Sequence, residues 1–206
     1  IYLHEVLDVW FAQQVRPRLK GKAEMVRYAD DFVFVLSDGE DARRILEVLP
    51  KRFGRYGLEI QKEKTRLLQF SRPSGKGQGE PGSFTFLGFT HYWGKSRKGN
   101  WVVKRKTAKD RLSRSIKRVH LWCKVNRHLP VKDQQQRLRN KLQGHYGYFG
   151  ITFNSRSIAC FYEQAKRSWQ KWLNRRSRNK PMPWERFNRL LMRYPLPEPR
   201  IVHRFS

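Results

Sequence analysis

Cysteine is almost absent. The chain of 206 residues has only Cys123 and Cys160, neither in a CxxC pair, which excludes a disulfide framework and a four-cysteine zinc site. Both are expected to be reduced packing residues. Long apolar runs are also missing: none approaches the ~20 residues that a bilayer span needs, and no secretory leader is visible. The expectation is therefore a protein without a membrane segment, with the cytoplasm as default compartment. The most informative scarcity is that of negative charge after residue 70. Residues 1–70 hold 13 Lys/Arg against 11 Asp/Glu, whereas residues 71–206 hold 32 against 6, within a formal total of +28. Such a field favours a polyanionic partner, and ordinary soluble surfaces carry far smaller excesses.

What is present is enough to fold. With 38% hydrophobic and 14% aromatic residues, the chain can bury one ordinary core or two small ones. It opens at Ile1 without an initiator Met, directly on an apolar helical pattern, so a fragment of something longer is expected. Leu3, Val6, Leu7, Trp10, Phe11 and Val15 recur at helical spacing until Pro17. Ala23–Ala29 and Phe32–Leu36 read as a hairpin with Asp30 and Asp31 at its tip. Ser37 and Glu40 have capping-box spacing ahead of a helix running towards Gly57, with Pro50 interrupting it. Leu58–Ile60 and Leu67–Phe70 suggest short strands, and Ser71–Gly82 a loop or linker. Phe84–Tyr92 and Trp101–Val103 predict a second hairpin.

From Thr107 onward the pattern is helical. Thr107 with Asp110 is a candidate cap for the first helix, a second spans about Lys132–Phe149, and a third follows Asn154. A short helix around Phe187–Leu191 precedes a proline-rich end. Trp169, Trp172 and Leu173 fall on an apolar stripe and read as core. His120, His128 and His145 lack ligand spacing and read as packing or RNA-facing residues. Internal repeats and coiled-coil heptads are not apparent.

Tyr28-Ala29-Asp30-Asp31 is the strongest chemical signal. Adjacent carboxylates between two strands repel one another and raise each other's pKa, a penalty that a divalent cation removes. Mg²⁺ takes oxygen ligands and leaves positions open for phosphate oxygens, and a two-metal site stabilises both oxygens of a phosphoryl transfer. The alternative is an ordinary Asp-Asp turn.

The ordered series of strand, Tyr28-Ala29-Asp30-Asp31, strand, helix, Gly57-Leu58-Glu59-Ile60, Glu63-Lys64-Thr65 and Phe86-Leu87-Gly88-Phe89 resembles the later motifs of bacterial group II intron reverse transcriptases. Ile1-Tyr2-Leu3-His4 resembles the segment after that family's Gln-Gly motif. The helical remainder, with Tyr146, Tyr148, Gly150, Asn154, Phe161 and Trp169, looks like the thumb and maturase region. The resemblance implies an α+β fold: the C-terminal part of a right-hand polymerase palm over residues 1–104, an all-helical thumb/maturase domain over 105–180, and a tail with a short helix over 181–206.

It further implies an RNA-directed DNA polymerase and maturase, with Mg²⁺ as cofactor and with intron RNA, RNA template, primer DNA and dNTP as partners, in a bacterial cytoplasm. Asp30 and Asp31 would be catalytic metal ligands, and Lys64 a phosphate contact or proton donor, although an exposed turn lysine is the equal alternative. Tyr28 would shape the nucleotide and primer site, and Phe86, Leu87, Gly88 and Phe89 would border the primer, where plain core is the competing reading. Lys104, Arg105, Lys106, Arg111, Arg114, Lys117, Arg118, Arg175, Arg176 and Arg178 are the candidate RNA-binding cations, able to neutralise phosphates from one helix face while the other packs. The family's earlier palm Asp, fingers and Gln-Gly motif are not in these residues, so the chain alone is expected to be inactive. Two other readings stay open: a non-catalytic RNA-binding maturase, and a reverse transcriptase of a defence or diversification system.

Overall fold

The computed structural model describes residues 2–73, 82–176 and 181–204. Two compact units divide the chain, Ile1–Ser71 and Arg72–Ser206. This division by compactness falls well before residue 104, because the second sheet belongs with the helices that follow it. Most of the Ser71–Gly82 linker expectation, and Arg178, lie outside the described residues.

In the first unit the N-terminal apolar stripe is helical, but its turns are wide. His4–Val9 and Phe11–Val15 are π-helical, and a 3₁₀ turn over Arg16–Arg18 includes Pro17 instead of stopping before it. Val6, Leu7, Trp10 and Phe11 are buried with Ile45, Leu49 and Phe53 in one core. Strands β1 (Ala23–Tyr28) and β2 (Asp31–Leu36) pair antiparallel, from Ala23↔Leu36 to Tyr28↔Asp31. Alternation sends Ala23, Met25, Phe32 and Phe34 to the core and leaves Val26, Tyr28 and Val35 exposed.

Helix α1 (Gly39–Gly54) is capped by Asp38, whose carboxylate accepts from the Glu40 and Asp41 amides. The capping-box expectation at Ser37 is corrected: its hydroxyl accepts from Lys22 N at 2.8 Å and so closes the base of the hairpin instead. The helix continues through Pro50, the missing N–H being offset by the buried Ile45, Leu49 and Phe53. Leu58–Ile60 and Leu67–Phe70 are not strands. Leu58 and Ile60 pack on the core from an irregular segment, and Leu58 N donates to Phe53 O at the end of α1, so the backbone is not free for a ladder.

The second unit begins with a three-stranded antiparallel meander: β3 (Ser83–Phe86), β4 (Phe89–Lys95) and β5 (Trp101–Thr107). The single arm expected over Phe84–Tyr92 is two strands. Leu87 and Gly88 both take positive φ, 49° and 77°, the geometry of a two-residue type I′ hairpin turn. Among the described residues four helices follow: α2 (Lys109–Val125), α3 (Val131–Phe149), α4 (Ser155–Asn174) and α5 (Trp184–Arg193).

Their apolar faces share one core around Cys123, Leu138, Leu142, Ile158, Phe161, Trp169 and Phe187. Trp169 is fully buried, and its indole N–H donates to Gln134 Oε1 at 2.9 Å. Trp172 and Leu173 are buried beside it. Thr107 is not a cap. It ends β5, Ala108 takes the N-cap place, and Asn154 clips Thr107 to the α3–α4 turn. Cys160 is exposed, unlike buried Cys123, because it lies on the outer face of α4. The proline-rich end is strapped back: Tyr146 Oη donates to Pro197 O, Gln135 Nε2 to Pro195 O, and Tyr162 Oη to Glu198. Among the described residues no helix is long and apolar enough to cross a membrane.

Candidate functional site

The β1–β2 hairpin presents the acidic pair. Tyr28 faces Asp31 across the strands, leaving Ala29 and Asp30 as the two turn residues, and Ala29 has φ 54°. Positive φ at the first turn position matches the right-handed twist of the strands, but it strains a residue with a Cβ. Asp30 and Asp31 are both exposed, and Tyr28 is 67% exposed.

A side chain that the sequence pattern did not single out braces this turn. Arg27 donates from Nη1 to the Ala29 carbonyl at 2.8 Å, and from Nε and Nη2 to the two oxygens of Asp8, both at 2.6 Å. His4 Nδ1 lies 3.0 Å from the same Asp8 carboxylate. The hydrogen bond from Arg27 is the main reason that the Asp8 carboxyl is held below its usual pKa. Ala23, Met25 and Arg27 alternate on the inward face of β1, and a cation there demands a carboxylate, but the spacing does not name Asp8 as that partner.

Two adjacent exposed carboxylates are hard oxygen donors and suit part of the shell of Mg²⁺. Among the described residues no group of three or more His, Cys, Asp or Glu side chains is placed to hold a metal. Lys64 stands exposed in the turn Gln61–Thr65, where its amide donates to Gln61 O at 3.0 Å. No hydrogen bond or ion pair joins its ammonium to Asp30 or Asp31.

The Phe86–Phe89 motif lies in the other unit, at the type I′ turn. Tyr148 Oη donates to Leu87 O at 2.9 Å, while Phe89 stacks on Tyr148 at 5.7 Å and contacts Phe149 at 5.3 Å. Gly88 serves the turn's positive φ more than a close approach: a Cβ there would meet Arg111 and Phe149 at ordinary distances, 3.6 and 3.7 Å.

The candidate cations differ in what they already touch. Lys104 Nζ lies over the Phe153 ring at 5.4 Å, Lys106 Nζ over Tyr92 at 4.9 Å, and the Arg175 guanidinium over Trp172 at 5.4 Å. Arg105 is opposite His91 in the sheet, and its charge, after burial itself, lowers the His91 pKa. Arg114 is paired with Asp110 on α2. Arg111, Lys117, Arg118 and Arg176 are exposed.

Residues 1–91 match the family model described as reverse transcriptase (RNA-dependent DNA polymerase). This supports an enzyme of the RNA-directed DNA polymerase kind, using a nucleic-acid template and dNTPs. No curated protein matches the chain. The matched reverse transcriptase stretch contains the whole first unit, β3 and the start of β4. Helices α2 to α5 lie beyond it.

Proposed function

We propose that this chain serves an RNA-directed DNA polymerase and intron maturase of the group II kind, with the reaction centred on the β1–β2 turn. The observation that carries the reading is the exposed Asp30–Asp31 pair at a braced hairpin tip within the reverse transcriptase match. Asp30 and Asp31 would hold Mg²⁺, which when bound neutralises charge on the reacting phosphates. A complete centre needs at least one further oxygen ligand besides these two. Tyr28 lines the nucleotide and primer site, and Lys64 offers a cation to phosphate. In this reading residues 1–104 act as palm, 105–180 as thumb and maturase surface, and 181–206 as a strap. Phe86 to Phe89 border the primer. The excess of 32 basic over 6 acidic residues in 71–206 supports binding to RNA, including intron RNA, through its phosphates.

Primer extension tests the proposal. Residues 1–206 alone should not extend a primed RNA template, and robust Mg²⁺-dependent extension by them would overturn the assignment of ligands. In an active polymerase carrying this chain, Asp30→Asn should nearly abolish extension and leave RNA binding intact. Equal loss of both would make Asp30 structural.

A further inference from the structure

The turn between α3 and α4 contains an aromatic residue in a conformation that aromatic residues avoid. Phe153 has φ 73°, in the left-handed region where Cβ crowds the following carbonyl. The surrounding structure enforces it. Ile151 is buried and bridged to His203, Thr152 N donates to His203 O, and Asn154 is buried with its amide group bonded to Thr107 and Phe149. Core burial does not explain the strain, since the Phe153 side chain remains 44% exposed.

The ring points to a particular surface. Lys104 lies over it and is opposite Tyr92 in the β4–β5 register; Lys106, two residues along β5, shares that face and lies over the Tyr92 ring. Gly94, also on this face, makes room for the Lys104 stem, whose Cδ would be only 2.9 Å from a Cβ there. Rings and ammonium groups thus alternate as Phe153, Lys104, Tyr92, Lys106. Single-strand binding surfaces require this combination, with rings to stack bases and cations to follow phosphates.

We propose that Phe153 and Tyr92, with Lys104 and Lys106, form a stacking platform for unpaired bases of a single-stranded nucleic acid. An arriving base takes the ring face, and the ammonium turns from the ring to the phosphate. The proposal rests on the nucleic-acid-binding part of the reading above, and does not depend on the carboxylates of the hairpin.

The full chain can be titrated with short oligonucleotides carrying 2-aminopurine, as single-stranded RNA, single-stranded DNA and duplex, over a salt series. Single strands should bind with quenching of the probe. Phe153→Leu should weaken single-strand binding roughly tenfold and leave the salt slope unchanged, because a neutral ring is removed. Lys104→Gln should instead flatten the slope by about 0.7. Phe153→Gly relieves the backbone strain, so it should keep or raise the melting temperature while losing the same affinity, which separates stacking from misfolding.

Weakened binding on either kind of strand supports the platform, and the strand that shows it identifies the source of the bases. The platform is overturned if single strands do not quench the probe, if both Phe153 variants bind as wild type, or if duplex and single strand lose affinity equally. Asp30→Asn should leave the quenching intact. Extension that survives Asp30→Asn in an active polymerase carrying this chain, with quenching intact, therefore removes only the polymerase reading, and absent quenching with Asp30-dependent extension removes only the platform.

Discussion

Replacing Asn154 by Ala should be among the most damaging single changes in the second unit. The side chain is 1% exposed, accepts from Thr107 N at 2.8 Å, and donates to Thr107 Oγ1 at 2.8 Å and Phe149 O at 2.7 Å. Truncation leaves the buried Thr107 amide without its partner, while the Phe149 carbonyl loses one hydrogen bond and keeps that from Ile151 N at 2.8 Å. An orphaned buried group costs about 1–3 kcal/mol and an ordinary lost hydrogen bond about 1 kcal/mol, so a loss of about 2–3 kcal/mol is expected. In a domain of this size that corresponds to a fall in melting temperature on the order of 10 °C.

Urea unfolding followed by near-ultraviolet circular dichroism would measure it. Asn154→Asp refines the test, because a carboxylate still accepts from Thr107 N but turns an oxygen towards the Phe149 carbonyl. Burial raises the folded pKa of this new carboxyl above the unfolded value of about 3.9. Protonation then favours the folded state, so the deficit of Asn154→Asp relative to wild type should shrink as pH falls from 7 towards 4. A loss below about 1 kcal/mol in Asn154→Ala, or a pH-independent deficit in Asn154→Asp, would refute the reasoning.

Replacing Arg176 by Ala should flatten the salt dependence of RNA binding, by roughly 0.7–0.9 in log K against log salt for each phosphate that is no longer neutralised; unchanged slope and affinity would make it a solvated residue. Arg175→Ala is a less clean probe, since it also removes the cation stacked on Trp172. His145 stacks on Phe161 at 3.7 Å, and burial lowers its pKa from 6.5 to about 4. The unfolded chain therefore takes up this proton first, and the stability present above about pH 6.5 is lost as pH falls towards about 4. His145 Nε2 is buried without a partner, so His145→Phe should remove that part of the pH dependence without breaking a hydrogen bond there; an unaltered acid profile would exclude His145 as its source.

Elements with a strong period were legible from residue order alone. The β1–β2 hairpin, α1, α3 and α4 could be placed because alternation and 3.6-residue stripes are local consequences of burying one face. The same stripe placed Trp169, Trp172 and Leu173 in the core. The acidic hairpin tip was visible because two adjacent carboxylates between apolar strands are unusual without a cation. Charge asymmetry between the two parts of the chain also needed no coordinates.

Tertiary structure decided what depends on partners distant in the chain. Leu58–Ile60 has the composition of a strand, but Phe53 and the core engage it before any ladder can form. Ser37 and Thr107 have the chemistry of caps, yet Lys22 and Asn154 claim their polar atoms. The clamp of Asp8 and Arg27 on the Ala29 carbonyl spans 19 residues between the two side chains, and local spacing does not reveal it. Phe153 reads as one more aromatic residue until its backbone is fixed from both sides by Ile151 and Asn154. A backbone conformation imposed by long-range hydrogen bonds leaves no periodic mark in the sequence, so only the folded chain shows that this ring is held out beside Lys104.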